Sequence, residues 1–338
     1  MKKIAHIVST GEYSGAEKIA IEICYYLKDD YEFIYICKPG NIVNYLNDKK
    51  IKYLHYNNTK ELISILRKNK FDIVHAHDYL ASTLAAIFFK GKVISHIHCN
   101  APFAKTFNIK SIIFYLTALR CEKVICVSKS VINEMYFHKK LKNKLILLYN
   151  WINKDARTWK EDLSKKIDIL FVGRFDYVKD PLFFLEVINR IKKYKIPNVT
   201  VKMIGDGILK NEILEFIKFN ELEDNVEVLE FSDIPHKYMK QAKVFFVPSK
   251  WEGFGLVFLE ALNNDCAIVS RPVGGIKEIF INSKYLLSDI EEFVTKISNL
   301  LLNDNLRNKV VLNDKIILDN FDMRTNINGI KKIYDENL

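Results

Sequence analysis

Val244-Phe245-Phe246-Val247-Pro248-Ser249-Lys250-Trp251-Glu252-Gly253-Phe254-Gly255-Leu256-Val257-Phe258-Leu259-Glu260-Ala261-Leu262 is the stretch that decides the fold. An apolar, β-forming run stops at a proline, glycines at 253 and 255 break the chain, and a helical apolar period follows through Leu256, Leu259 and Leu262. A strand that passes into a helix through a glycine loop is half of a βαβ unit. Its loop lies at the carboxyl end of the strand, where the first amides of the helix have no partner and suit an anion.

The same alternation extends in both directions from this segment. In the second half of the chain, strand patterns fall at 167–172, 199–204, 226–229 and 267–270, with helical patterns at 181–193 and 209–218. In the first half, strands are expected at 4–9, 33–37, 73–76, 93–97, 124–127 and 145–148, with helices at 16–27, 59–68 and 130–136. Strands alternating with helices imply parallel sheets joined by right-handed crossovers. The 338 residues exceed what one core usually organises, so the fold class is α/β with two doubly wound, Rossmann-like domains. The polar stretch 151–166 reads as the linker, giving domains 1–157 and 158–320 and a closing helical segment 321–338.

Composition excludes several alternatives. Hydrophobic residues make up 49% of the chain and charged residues 27%, which is globular rather than disordered. No apolar run approaches the ~20 residues that span a bilayer. The opening Met1-Lys2-Lys3-Ile4 is interrupted by His6 and ends at Gly11-Glu12 without a small-residue cleavage site, so it reads as a first strand and not as a secretion leader. The 6 cysteines form no C-x-x-C pair and are expected to be reduced core residues of a cytoplasmic protein. The net charge of +10 is uneven: residues 1–150 carry 23 Lys and Arg against 12 Asp and Glu, and 90–144 alone hold 11 against 2. Such a face suits an acidic partner, either anionic lipid or nucleic acid.

Some short motifs sit where strands end. Gly11-Glu12-Tyr13-Ser14-Gly15 follows the first strand, but its G-x-x-x-G spacing is not the dinucleotide fingerprint. Gly173-Arg174 and Lys179 follow the strand at 167–172, and a guanidinium fork with a point charge is a phosphate-gripping pair. Gly205-Asp206-Gly207 follows the next strand. His75-Ala76-His77 and His96-Ile97-His98 are two H-x-H pairs whose period of two puts each pair on one face. These histidines admit a rival reading as the metal site of a hydrolase. The basic, aromatic-bearing 90–144 segment admits another, as a non-enzymatic nucleic-acid binder without a recognised motif. No D-x-D occurs to bridge a metal to a diphosphate, so neither a metal nor another cofactor is expected.

Taken in order, Gly173-Arg174 with Lys179, Ile204-Gly205-Asp206-Gly207, the Glu252 and Glu260 pair of an E-x-x-x-x-x-x-x-E motif, and Val273-Gly274-Gly275-Ile276-Lys277-Glu278 resemble the large fourth family of retaining glycosyltransferases, the group 1 nucleotide-sugar transferases. That resemblance implies the GT-B architecture, two Rossmann-like domains facing across a cleft, with the last helix packing back on the first domain. It implies Arg174 and Lys179 on the donor diphosphate, Glu260 on the ribose, and Glu252 on the donor sugar. Gly15, Gly173, Gly205, Gly253, Phe254, Gly255 and Leu256 would line the donor, and His98 would stand near the transferred sugar.

The resemblance further implies a retaining, metal-independent hexosyltransferase that moves sugar from a nucleoside-diphosphate donor, UDP being the first expectation, to a glycan or lipid-linked acceptor in surface polysaccharide or glycolipid synthesis. The acceptor side is expected around Lys105, Lys110 and Arg120, where the amphipathic 102–120 segment would rest on an anionic membrane face. Nucleic acid is not an expected partner. Ser14, Trp151 and Asp265 depart from the family pattern, each standing where glycine is common.

Overall fold

In the first sheet, β1 (Lys2–Val8), β2 (Tyr31–Cys37), β3 (Tyr53–His55), β4 (Ile73–His77), β5 (Lys92–Ile97), β6 (Lys123–Cys126) and β7 (Leu145–Leu147) run parallel in the order β3-β2-β1-β4-β5-β6-β7. The second sheet orders β8 (Ile167–Val172), β9 (Val201–Ile204), β10 (Val226–Leu229), β11 (Ala242–Val247) and β12 (Ala267–Ser270) as β10-β9-β8-β11-β12, again parallel. This computed structural model describes residues 1–154, 159, 163–231 and 234–338. The chain divides into one unit of Met1–Trp151 with Met323–Leu338, and a second of Ile152–Asp322.

Central strands buried on both faces need apolar residues at consecutive positions rather than alternation. β4 is buried throughout, and in β11 only Lys243 is partly exposed. The helices that cover the sheets supply the matching faces, as in Pro181–Tyr194, which buries Phe184, Leu185, Val187, Ile188 and Ile191. In each sheet the strand order reverses beside the first strand of the unit, between β1 and β4 and between β8 and β11. Loops leaving such neighbours diverge to opposite faces and open a crevice at their carboxyl ends. Gly11 to Gly15 follows β1 and Asp78 follows β4; Gly173 follows β8 and Pro248 follows β11.

Two expectations are corrected. The linker does not begin at Trp151: its ring is fully buried in the first unit and its indole N–H donates to the Glu22 carboxylate at 2.7 Å. A tryptophan here replaces chain flexibility with packing. The expected boundary at 157/158 lies outside the described residues, and the two units part at Trp151 and Ile152. The cysteines are not all core residues either, since Cys99 is exposed just past β5 while the other five are buried.

Candidate active site

The crevice of the second unit is built from the loops after β8 and β11. Asp176 shapes the first: its carboxylate accepts from the backbone N–H of Val178 and Lys179, both at 3.0 Å, and its other oxygen pairs with Arg174 Nε at 3.0 Å. The resulting turn lays the Lys179 stem across Gly173, whose Cα faces Lys179 Cγ closely enough that an added methyl would touch it at 3.5 Å. Lys179 Nζ then meets Glu252 Oε1 in an ion pair whose two side chains are only 15% and 12% exposed. Ser249, fully buried, donates its hydroxyl to the same carboxylate at 2.9 Å. The two loops are stitched together by Lys250 N–H donating to Val178 O at 2.7 Å.

Backbone packing around this pair leaves no room for side chains. A methyl on Gly205 would lie 2.0 Å from Gly173 O, and one on Gly274 would lie 1.7 Å from Glu252 O with φ at +48°. Both contacts are far inside van der Waals distance, so these glycines hold the loops in register. The helix Leu256–Asn263 starts from Gly255, in left-handed backbone at φ 92°, with no side-chain cap on its first amides. Those amides are an anion-binding end. Phe254, Leu256 and Glu260 are buried around it.

The first unit presents a different surface. β1, β4 and β5 are in register so that His6 stands beside His75, and His77 beside His96. His98 follows one period on. His6, His75, His77 and His96 are buried and His98 is partly exposed. Burial, which penalises the imidazolium, lowers all of them: His6 and His98 to about 3, and His75, His77 and His96 well below their ordinary value. The rings are therefore neutral at physiological pH. At the neighbouring strand ends, Asp78 accepts from Ser9 Oγ at 2.5 Å and caps the helix Tyr79–Phe88 through Ala81 N–H at 2.7 Å. Gly15 opens the helix Gly15–Tyr26, and a methyl placed on it would meet nothing within 4 Å.

Two family models match, "Glycosyl transferases group 1" over residues 153–315 and "Glycosyltransferase Family 4" over residues 13–156. The chain belongs to the group 1 glycosyltransferases of family four. Among similar proteins, this glycosyltransferase is 24% identical to the capsular polysaccharide biosynthesis glycosyltransferase CapH of Staphylococcus aureus, with 99% of each chain covered. It is 26% identical to the UDP-Gal:alpha-D-GlcNAc-diphosphoundecaprenol alpha-1,3-galactosyltransferase of Escherichia coli, over 98% of this chain and 96% of that one. The crystal structure of Anabaena HepE in complex with UDP-glucose superposes with a TM-score of 0.87 at 18% identity, covering 99% of this chain and all of that one. The fold is that of the GT-B glycosyltransferases.

Within the enzyme, Gly173, Lys179, Glu252, Gly205 and the Gly253 to Leu256 loop are gathered at one strand-order reversal. Arg174 differs from Lys179 in exposure, since its side chain is 69% exposed and held by Asp176 at the rim. The expected acceptor-side cations are partly committed. Lys105 pairs with Glu134 at 2.6 Å and Arg120 donates to the Phe89 and Gly91 carbonyl oxygens, while Lys110 is exposed on the helix Ile109–Arg120. Sequence reading missed Asp176 and Ser249, whose polar side chains gave no motif, and Tyr334 of the helix Met323–Asp335. The Tyr334 hydroxyl lies 3.0 Å from His6 Nε2 and 2.6 Å from His75 Nδ1. The Asp265 departure has a backbone consequence: it holds φ 66°, where glycine rests without strain, and is braced by Lys240 at 2.6 Å and by Lys315.

Proposed function

We propose that the enzyme is a retaining hexosyltransferase that takes sugar from a nucleoside-diphosphate donor, UDP-sugar first, and works without a metal. The observation that carries this reading is the Lys179–Glu252 pair, shielded from water beside the uncapped start of Leu256–Asn263. A cation in that position can exchange its carboxylate partner for a phosphate oxygen, leaving Glu252 to accept from sugar hydroxyls. In the transfer, the acceptor hydroxyl oxygen bonds to the anomeric carbon on the face the diphosphate leaves. The carbon–oxygen bond to phosphate breaks, and the hydroxyl proton passes to the departing phosphate oxygen. Catalysis then consists of stabilising charge on that diphosphate, which Lys179, Arg174 and helix amides can do, with Glu260 on the ribose.

The Escherichia coli relative is named for a diphosphoundecaprenol-linked acceptor and the Staphylococcus aureus relative for capsule synthesis. We extend both to this enzyme as a lipid-linked or glycan acceptor in surface polysaccharide assembly. Along Ile109–Arg120, Ile109, Ile113 and Leu116 are exposed at helical spacing, with Phe107 before them and Lys110 alongside. An apolar stripe flanked by a cation suits an anionic bilayer surface. Among the described residues, no helix is long and apolar enough to cross a membrane.

A thermal-shift panel of UDP-, GDP- and ADP-sugars, with and without excess chelator, tests the donor reading. Selective stabilisation by one nucleotide series, unchanged by chelator, is expected. Stabilisation by none of the three would overturn it. Nuclear magnetic resonance of the product's anomeric proton reads retention or inversion.

A further inference from the structure

Four of the five clustered histidines are joined with Tyr334 in a single file of hydrogen bonds. Tyr334 OH lies 2.6 Å from His75 Nδ1 and 3.0 Å from His6 Nε2. His6 Nδ1 lies 2.9 Å from His77 Nε2, and His77 Nδ1 lies 3.0 Å from His98 Nε2. Each contact between two imidazole nitrogens holds one proton and one lone pair. Neutral rings carry one N–H each, so fixing one tautomer fixes the next. Tyr334 is fully buried, so its O–H must donate within the file, and only two all-neutral arrangements then satisfy every link. In one, every relay histidine carries its proton on Nδ1, Tyr334 donates to His6, and His98 ends the file with an Nδ1–H donor. In the other, His6, His77 and His98 carry theirs on Nε2, Tyr334 donates to His75, and His98 Nδ1 is a bare acceptor.

The two ends of the file decide between them. His75 Nε2 and His98 Nδ1 are both buried without a protein partner among the described residues. The first arrangement leaves a lone pair at His75, deep in the sheet at 0% exposure; the second leaves an N–H there. An orphaned N–H in a core is rarer than an under-used acceptor. His98 is the one partly exposed member of the file, so a ligand oxygen can satisfy its Nδ1–H donor once it displaces the cover over that buried atom.

We propose that Tyr334, His6 and His77 are positioning residues that lock His98 in its neutral Nδ1–H form, so that it donates a hydrogen bond to an oxygen of the bound sugar and does not act as a base. This rests on the reading of His98 as a sugar-side residue. His96 stacks on His98 with ring centroids 4.1 Å apart and makes no hydrogen bond of its own among the described residues, which fixes the ring plane without competing for its protons.

A cation is the rival occupant, because nitrogens of His77, His96 and His98 lie within 4.8 Å of one another. It would have to take lone pairs already used in the file. Among the described residues the candidate ligand groups consist of histidines alone, so no carboxylate ligand offsets a buried dication.

The test is long-range nitrogen–proton correlation on full-length enzyme labelled with 15N-histidine, with its zinc content measured alongside. His98 is expected as a single Nδ1–H tautomer at neutral pH. Tyr334→Phe keeps the ring packing and is expected to mix the tautomers of His6, His77 and His98 while leaving His138 unchanged. His6→Gln, which cuts the file from another element, serves if that variant does not fold. Turnover should fall roughly three- to tenfold in Tyr334→Phe, the worth of one neutral hydrogen bond, with donor KM unchanged. An Nε2–H His98 in the native enzyme, an unaltered tautomer in both variants, or stoichiometric zinc would each overturn the relay. A normal tautomer response in a protein that binds no nucleotide sugar would instead overturn the donor reading alone.

Discussion

The two strand-order reversals of this enzyme solve opposite electrostatic problems. In the first unit, five imidazoles are kept neutral by burial, and four of them are ordered by uncharged hydrogen bonds. In the second, full charges are retained and paired, Lys179 with Glu252 and Arg271 with Asp180 at 2.7 Å. Sugars are uncharged and rich in hydroxyls, whereas a pyrophosphate is a compact anion. A neutral donor array suits the one and a cation with an exchangeable partner suits the other. On the proposed reading, the same crevice position in a parallel sheet would serve two ligands, one met by neutral rings and the other by an ion pair.

The comparison can be broken most severely at Lys179. Lys179→Met should reduce turnover by roughly a hundredfold or more, as loss of a charge aimed at the leaving group does. Glu252 would then be an unpaired, shielded carboxylate, so a double variant with Glu252→Gln should recover stability lost in the single one without recovering turnover. Chemical denaturation and steady-state kinetics on the three proteins separate the two effects.

Acid stability distinguishes the units next. The histidines bind protons only when unfolded, because burial lowers them in the native state, so their contribution is complete above about pH 6.5 and is lost as pH falls toward 3. Each should cost ~1.4 kcal/mol per pH unit in that window. In the second unit the sign reverses at Asp314, which burial raises to about 6: it favours folding below the ordinary carboxylate range and loses that contribution as pH rises through 6. Urea midpoints at pH 7.5, 6 and 5 should fall steeply, and replacing His75 and His96 by Leu should flatten the slope. A flat native profile would mean that the imidazoles are charged or exposed.

A smaller effect separates two glycines. Gly205→Ala should cost several kcal/mol in folding, because a methyl cannot sit 2.0 Å from a carbonyl oxygen. Gly15→Ala should change stability by less than ~0.5 kcal/mol, since nothing lies within 4 Å, yet should impair transfer if a ligand occupies that space. Smallest of all is the membrane contribution. Leu116→Asp should weaken co-sedimentation with anionic vesicles while leaving activity on a soluble acceptor intact, and unchanged sedimentation would remove lipid as the partner of that helix.

Much of this could be read before any coordinates. The strands at 167–172, 226–229 and 267–270 and the helix at 59–68 coincide with their structural bounds, because continuous apolar runs and a clean helical period leave little ambiguity. Tyr53–His55 escaped, being too short to show a pattern. In the site, Gly173, Lys179 and Glu252 were legible as a motif. That Lys179 and Glu252 would meet each other was not, since 73 residues separate them and only the adjacency of β8 and β11 brings them together. The histidine file was half legible: the two H-x-H pairs gave the face, but Tyr334 lies 328 residues from His6 and carries no local signal.

Calorimetric titration of UDP into the native enzyme and into Lys179→Met tests the central claim most directly. The account predicts one site per chain, with affinity for UDP lowered at least tenfold by the substitution and uridine binding weakly to both proteins. UDP bound equally well by both would place the diphosphate elsewhere and contradict it.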